Sequence, residues 1–351
     1  MPDPTTGARP TLEAVAARAG VSRATVSRVV NGGAGVRAPL VDRVREAVAE
    51  LGYVPNHAAR TLVTRRNGAV AVIIAEPEFR IFSDPFFERQ VRGISRELAA
   101  NDSQLVLLWV EGTEDHDRIA RYLGGGHVDG ALAFSLHDDD ELPAIVVESG
   151  VPAVFGGRPG PGARGAGTRR RARAVPYVDC DNRGGAREAV RHLVGLGRTR
   201  IAHIAGPLDQ TSALDRVDGY RDALGGAAGP VAQGAFTVES GARAMAELLD
   251  RHPDLDAVFA ANDLMASGAL RVLRERGLRV PEDVALVGFD DVASVAEATD
   301  PPLTTVRQDI EGNGRLMVRL LMDVLNGSTG TEDGGPESVV TPTTLVRRAS
   351  A

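Results

Sequence analysis

Residues 11–31 read TLEAVAARAGVSRATVSRVVN, and the reading of this stretch decides the N-terminal part of the 351-residue chain. Leu12, Val15, Ala16 and Ala19 recur at helical spacing behind Thr11, a hydroxyl side chain suited to capping a first turn. Gly20 stops that helix, Val21 is placed to pack between helices, and Ser22 can cap a second one whose apolar face is Val26, Val29 and Val30. Two helices joined by a short glycine-containing turn form a helix-turn-helix, whose second helix offers side chains to base edges in the major groove of DNA. Arg23, Ala24, Thr25, Ser27 and Arg28 fall at the N-terminal end or on the polar face of that helix. The planar fork of arginine can take guanine O6 and N7 together. Periodicity alone fits an ordinary helical hairpin with a solvated arginine face equally well.

Outward from this stretch, residues 37–53 (RAPLVDRVREAVAELGY) carry a stripe of Leu40, Val44, Ala47, Val48 and Leu51, with Pro39 suited to the first turn and Gly52 to the end. Three short helices make a domain of about fifty residues. Residues 54–66 (VPNHAARTLVTRR) have helical propensity but only Ala58, Ala59, Leu62 and Val63 to bury, so a helix there is expected to be conditional. Charge divides the chain in the same place. Residues 1–67 hold ten Arg against five acids, a net of +5, within a chain of net charge −7. A small basic head on a large acidic body is what a polyanion-binding module joined to a regulatory or catalytic body shows. All 40 basic residues are Arg, a compositional feature with little mechanistic content.

The single cysteine, Cys180, excludes an internal disulfide and leaves too few thiolates for a structural zinc or iron–sulfur site, and no cofactor or metal is expected. No run approaches about 18 apolar residues, and MPDPTTGARP at the N-terminus lacks the basic and apolar segments of an export signal, so a cytoplasmic chain without membrane contact is expected.

Beyond Arg66 short Val/Ile/Leu runs alternate with helical segments: AVAVIIAEP, FFERQVRGISRELAAN, QLVLLWVEG, a helix over DHDRIARYLG, and VDGALAFSL. The pattern restarts with VPYVDCDN, GAREAVRHLVGLG and RIAHIAGP and runs on to DAVFAAND and VALVGFDD. Such alternation implies a mostly parallel sheet with helices on both faces, and two such units side by side leave a cleft between their strand ends. Asp290 follows VALVGF and Asn262 follows AVFAA, so each can present a polar group at a strand's carboxyl end. Arg216 starts the DRVDGYRDAL helix, and Phe86, Phe87 and Phe236 can supply apolar walls. Taken singly, Asp290 serves as well as a turn residue, Arg216 as a solvated charge and the three Phe as core.

Several blocks together carry a specific likeness: AVAARAGVSRATVSRVVNG, ELGYVPNHAARTL, HLVGLGRTRIAHIAGP, DAVFAANDLMASGAL, VALVGFDD and PPLTTVRQD. In this order and spacing, from about Thr11 to Arg347, the chain resembles the LacI/GalR family of bacterial transcription regulators. The resemblance implies a three-helix DNA-binding domain with a hinge helix, followed by a periplasmic-binding-protein-like core of two doubly wound α/β subdomains. The implied bounds are a disordered tail over 1–10, the head over 11–54, the hinge and linker over 55–67, one core subdomain over 68–180 and 310–337, and the other over 181–305 and 338–347. Arg23 and Ala24 then occupy the operator-choosing positions and Arg28 a third contact, with Thr11, Ser22, Thr25, Ser27 and Asn31 supporting. The hinge corresponds to Asn56 through Leu62, with His57, Ala59 and Arg60 as further DNA contacts and Leu62 as the apolar wedge in the minor groove. One departure is that the third helix has Ala38 before Pro39 where relatives place a Ser or Thr cap.

For the core, the resemblance places Asp290, Arg216 and Asn262 at effector-contacting positions, with Phe86, Phe87 and Phe236 as walls. It implies a dimer on a palindromic operator, controlled by a small molecule, a sugar, in the cleft, with repression as the usual outcome. No leucine-heptad tail follows the last strand, so a homodimer is expected rather than a tetramer. A second departure stands at VPAVFGGRP, where Gly157 and Arg158 occupy the place of an effector-contacting acid in several relatives. The following loop, residues 160–176 (GPGARGAGTRRRARAVP), is long and basic, with Arg164, Arg169, Arg170, Arg171 and Arg173, and its composition is that of a solvated loop.

Catalysis is not supported. The chain has no P-loop, no G-x-S-x-G elbow, no H-E-x-x-H and no dinucleotide fingerprint after the first strand. GGGHVDG at residues 124–130 is explained by a loop between a helix and the next strand. A sugar carrier serving a transporter would need an export signal and have no use for a helix-turn-helix, whereas an architectural DNA-binding protein would show no ligand response.

Overall fold

The computed structural model describes residues 10–30, 35–54, 66–138, 140–160, 175–226, 229–327 and 337–351. Asn31, the hinge residues Asn56, His57, Ala59, Arg60 and Leu62, the tail over 1–9 and the arginines of residues 161–174 lie outside the described residues. The chain divides into two compact units, Met1–Gly68 and Ala69–Ala351.

In the first unit, α1 (Leu12–Ala19), α2 (Arg23–Val30) and α3 (Ala38–Leu51) enclose one small core. Val15, Val26 and Val44, one from each helix, are fully buried, and Ala16, Ala19, Ala47 and Tyr53 close around them. Thr11 caps α1 by accepting the Ala14 amide at 3.2 Å. Gly20 then ends the helix with φ 64°, a left-handed conformation that a side chain disfavours. Ser22 accepts the Thr25 amide at 3.1 Å and starts α2. Arg37 precedes α3 without a side-chain cap, and Pro39 sits in its first turn. A missing cap costs about 1 kcal/mol; α3 is tied to α1 by Arg43 donating to the Ala19 carbonyl and by Arg18 pairing with Glu50 at 2.7 Å.

The second unit holds two six-stranded sheets. The first has the order β11-β5-β4-β3-β1-β2, all parallel, from β1 (Ala69–Ala75), β2 (Gln104–Val110), β3 (Gly130–Phe134), β4 (Ala153–Gly156), β5 (Tyr177–Cys180) and β11 (Val339–Thr341). Strand β1 is apolar throughout and buried on both faces, as a central parallel strand must be. Val72 and Ile74 face α5 (Pro85–Ala100) and α13 (Ile310–Leu325) through Ile94, Leu98, Met317 and Leu321; α4 (Glu78–Ser83) joins this layer through Ile81. Ala71 and Ile73 face α6 (His116–Gly124) and α7 (Leu142–Glu148) through Ile119, Leu123 and Val146. Helices α5 and α13 approach through glycine. A Cβ on Gly93 would lie 2.1 Å from the Glu311 carbonyl oxygen, and one on Gly314 would lie 2.5 Å from that of Gln90.

The second sheet has the order β12-β10-β9-β8-β6-β7, from β6 (Ile201–Ala205), β7 (Val231–Gln233), β8 (Ala257–Ala260), β9 (Ala285–Asp290), β10 (Thr304–Arg307) and β12 (Thr344–Val346). It is parallel except for β12, which runs antiparallel to β10. One face packs on α10 (Val238–Arg251), α11 (Asp263–Glu275) and α12 (Ala293–Ala296), the other on α8 (Asn182–Gly195) and α9 (Thr211–Ala223). The chain therefore passes between sheets three times, after β5, after β10 and after β11. The passages lie together: the Asp181 amide donates to the Thr341 carbonyl at 2.9 Å, and the Thr341 hydroxyl donates to Asn313 at 2.9 Å.

One expected boundary is corrected. Residues 338–347 do not all belong to the second subdomain, because Val339–Thr341 extends the first sheet beside β5 and only Thr344–Val346 joins the second. Strand β5 needs a partner on its open edge, and the β-branched Val339 and Val340 supply it. Strand β10 likewise continues to Arg307, past the expected limit at 305.

Candidate ligand cleft and DNA-reading helix

The cleft of the second unit opens at the carboxyl ends of strands from both sheets, the usual ligand position in open α/β sheets. It encloses about 830 Å³ of space continuous with solvent. Three non-glycine residues on its wall, Ser135, Phe236 and Asp290, have left-handed backbones with φ of 60°, 58° and 103°. Strain of this kind persists only where its surroundings enforce it and gathers at binding sites.

Arg216, in the second turn of α9, is buried at 5% exposure. Its Nε donates to Asn182 at 2.9 Å, its Nη1 to the Ala261 carbonyl, and its Nη2 lies 3.7 Å from Asp290. The guanidinium stacks 3.7 Å from the Phe289 ring centroid and 5.9 Å from that of Phe236. Asp290 ends β9 and accepts the Gln308 amide at 2.7 Å. Burial pushes its carboxyl above the usual range although Arg216 opposes this. Behind it, fully buried Asp263 accepts the Thr305 hydroxyl at 2.5 Å and the Val292 amide at 2.9 Å, fixing the turn that aims Asp290.

Of the expected cleft residues, Phe86, Arg216, Phe236 and Asp290 line the cavity. Phe87 and Asn262 do not. Phe87 is 1% exposed in the first subdomain's core, 6.2 Å from the Phe134 ring. Adjacent residues on a helix point about 100° apart, so Phe86 and Phe87 cannot both face the cavity. Asn262 caps α11 by accepting the Met265 amide at 2.9 Å and donates to the Phe236 carbonyl at 3.1 Å. It positions the strained Phe236 and does not reach the cavity itself.

The structure adds lining groups that sequence reasoning missed, among them Arg80, Asp84, Asp179, Asn182, Gln210 and Gln308. Asp179 and Asn182 follow the signal that found Asp290, polar residues at a strand's carboxyl end. Asp84 was hidden by its other role, since an Asp before Pro85 reads as a cap and does cap α5, accepting the Phe86 amide at 2.9 Å. Cys180 also lines the cleft, with its thiol pushed well above the ordinary range by burial and by Asp179.

Charged and polar groups join the two subdomains across the cleft. Arg158, which stands in place of the expected acid, donates to both carboxylate oxygens of Asp215 at 2.7 and 2.8 Å. His137 donates through Nδ1 to Asp209 at 2.6 Å and lies 3.3 Å through Nε2 from Glu76. Gln210 reaches Glu76 at 3.1 Å, and the Asp138 amide donates to the Asp209 carbonyl at 2.8 Å. Burial opposes charging His137, yet the carboxylates on its two nitrogens outweigh it and bring its pKa up to about 9. Burial likewise works against ionised Glu76, but His137, Arg80 and Ser135 hold its carboxyl below the usual range.

In the first unit Thr11, Ser22, Arg23, Ala24 and Arg28 are exposed, and Thr25 and Ser27 are half-buried. The N-terminal end of α2 thus presents Arg23, Ala24 and Thr25 together. Arg23 pairs with Glu13 of α1 at 3.0 Å across a solvated surface.

Residues 11–56 match the model of the bacterial regulatory proteins, lacI family, and residues 190–351 that of the periplasmic binding protein-like domain. The chain is 50% identical over 347 residues to the HTH-type transcriptional regulator CelR of Thermobifida fusca, across 97% of this chain and 98% of that one. It is 33% identical over 332 residues to the HTH-type transcriptional repressor CytR of Escherichia coli K12, across 90% of each. Among solved structures it resembles a transcriptional regulator CelR–cellobiose complex, with TM-score 0.74 and 46% identity over 98% of this chain and 100% of that one. It also resembles the lac repressor dimer bound to operator and the anti-inducer ONPF, with TM-score 0.79 and 29% identity over 98% and 99%. A regulator half identical along nearly its whole length, matched in both the helix-turn-helix head and the two-sheet body, establishes that the chain belongs to the lacI family of bacterial regulatory proteins.

Proposed function

We propose that this chain is a homodimeric repressor that binds a palindromic operator and responds to a short neutral β-glucoside, of which cellobiose is the type. The observation that carries the effector reading is the cleft wall itself: Arg216 and Asp290 beside the rings of Phe86 and Phe236. Planar, fixed hydrogen-bonding groups beside aromatic faces suit a sugar's hydroxyls and C–H faces. The cellobiose complex of a CelR relative supports the choice of sugar.

The dimer reading rests on an apolar strip at the edge of the first subdomain. Phe79 and Phe82 of α4 are 67% and 69% exposed, and Phe82 packs edge-on against Trp109 of β2, whose neighbour Leu107 is also exposed. Strand β2 is a sheet edge, and an uncovered apolar edge invites a partner. With two heads held by this dimer, Arg23, Ala24 and Arg28 read each half-site, and the segment over 55–67 orders in the minor groove at the centre with Leu62 as wedge. Closure of the cleft on the sugar biases that ordering. The function is regulation by binding, without a catalytic step, inside the cytoplasm; no helix among the described residues is long and apolar enough to cross a membrane.

Fluorescence anisotropy on DNA from upstream of the chain's own gene, at about 150 mM salt with random DNA as competitor, tests the DNA half of this reading. A preference of at least about 1,000-fold for a palindromic site, bound by two chains per site in sedimentation, is expected. Equal affinity for random DNA, or one chain per site, would remove it.

A further inference from the structure

Arg80 and Asp84 stand one helical turn apart on the first-subdomain wall of the cleft, and each is buried with hydrogen-bonding capacity left over. The Arg80 side chain is 9% exposed, and its one hydrogen bond among the described residues runs from Nη1 to Glu76. Its Nε, fully removed from solvent, has no partner among the described residues. The guanidinium is held in place by two rings, 5.6 Å from the Phe87 centroid and 5.2 Å from that of Phe236, the latter on the opposite subdomain. Asp84 is 6% exposed, lines the cavity and accepts the Phe86 amide through Oδ1 at 2.9 Å. A buried guanidinium nitrogen without a partner is costly, and a carboxylate on the same wall that has accepted one amide can still accept a ligand's hydroxyl.

We propose that Arg80 and Asp84 form a subsite for the neutral vicinal hydroxyls of the effector and are the residues by which the cleft rejects anionic sugars. The proposal deepens, and rests on, the sugar reading above. A hydroxyl can accept from Arg80 while it or its neighbour donates to Asp84, which satisfies both protein groups. A phosphate or carboxylate could only accept. It would find Arg80 already paired with Glu76 and Arg216 already facing Asp290, while the carboxylate of Asp84 repels it. Burial and the nearby Asp290 hold the Asp84 pKa up at about 6 although Arg80 and the Phe86 amide oppose this. The second-subdomain wall differs, because there Arg216 already donates to Asn182 and Ala261 and lies 3.7 Å from Asp290.

Isothermal titration calorimetry on the full chain at pH 7.5 tests this with cellobiose, its monodeoxy analogues, cellobiose 6-phosphate and cellobionic acid as probes. Asp84→Asn keeps an oxygen for the Phe86 amide but turns the other position into a donor, and a charged hydrogen bond of this kind is worth about 10- to 100-fold in affinity. The expected result is cellobiose bound at least about 100-fold more tightly than either anion, and weakened about 10- to 100-fold by Asp84→Asn. One monodeoxy analogue should lose affinity for the native chain and lose nothing further on the variant. Unchanged operator affinity without sugar verifies that the variant is folded; if it is not, the same non-additivity is sought with Arg80→Lys. Equal binding of the anions, or additive losses for every analogue, overturns the subsite while leaving the sugar reading intact. No binding of any neutral sugar to the native chain overturns both.

Discussion

Replacing His137 by asparagine should loosen the closed cleft, because His137 carries the charge that joins the subdomains at the rim. Its Nδ1 lies 2.6 Å from Asp209 of the second subdomain and its Nε2 3.3 Å from Glu76 of the first. The rise from 6.5 to about 9 converts, at about 1.4 kcal/mol per unit, to a ceiling of about 3.5 kcal/mol, shared between Glu76 on the same subdomain and Asp209 across the cleft. Asp209 is 42% exposed and water screens that half of the contact, so about 1–2 kcal/mol is the part expected to survive. If the sugar binds the closed form, the variant loses about 5- to 30-fold in cellobiose affinity at pH 7. The sign of the pH dependence follows from the part of the raised pKa that Asp209 supplies across the cleft. The contribution is complete below about 6.5 and is lost as pH rises through about 9. The groups facing His137 and Glu76 are Asp209, Arg80, Ser135 and Gln210. The chain has no lysine to blur that window. Calorimetry across pH 7 to 9.5 should therefore show cellobiose affinity falling for the native chain and staying flat for His137→Asn. Equal affinity at pH 7 together with parallel pH profiles would refute the clasp.

Three other outcomes follow from the same geometry. Arg28→Ala should weaken operator binding by about 1–3 kcal/mol and leave binding to random DNA much less affected, as measured by anisotropy with both duplexes; identical losses would move the base-reading surface elsewhere. Asp290→Asn suits the left-handed backbone at φ 103° yet removes the charge facing Arg216, so operator binding should persist while the sugar response disappears, and a retained response would place the effector outside this wall. Gly93→Ala puts a methyl group 2.1 Å from the Glu311 carbonyl oxygen between α5 and α13, which should lower stability by about 1–3 kcal/mol in thermal unfolding; an unchanged midpoint would mean that the helix pair is not tightly packed.

What was legible in the sequence and what was not differ by physical range. The head was readable because its determinants are local: helical spacing of Val15, Ala16 and Ala19, a left-handed Gly20, and caps at Thr11 and Ser22. The alternation of strands and helices was readable because strands such as β1 are buried on both faces and must be continuous apolar runs. Asp290 was found because strand ends face the cleft by topology, and Arg216 because it stands near the start of a helix in a block that matches the family. Arg80 was not, since nothing local separates a helical arginine in solvent from one pinned between Phe87 and Phe236, a residue 156 positions away. The His137–Asp209 contact joins residues 72 apart on different subdomains and leaves no periodic trace. The split of 338–347 was hidden because two three-residue strands carry too little pattern to show that they serve different sheets.

Titrating cellobiose into a preformed complex of the full chain with fluorescent operator DNA shows directly whether a neutral sugar in the cleft changes affinity for the operator. A saturable change of about 5- to 150-fold in operator dissociation constant is expected, its midpoint tracking cleft occupancy measured by calorimetry, and the change should vanish in Asp290→Asn. An operator affinity that stays the same while calorimetry shows the cleft filled would contradict it.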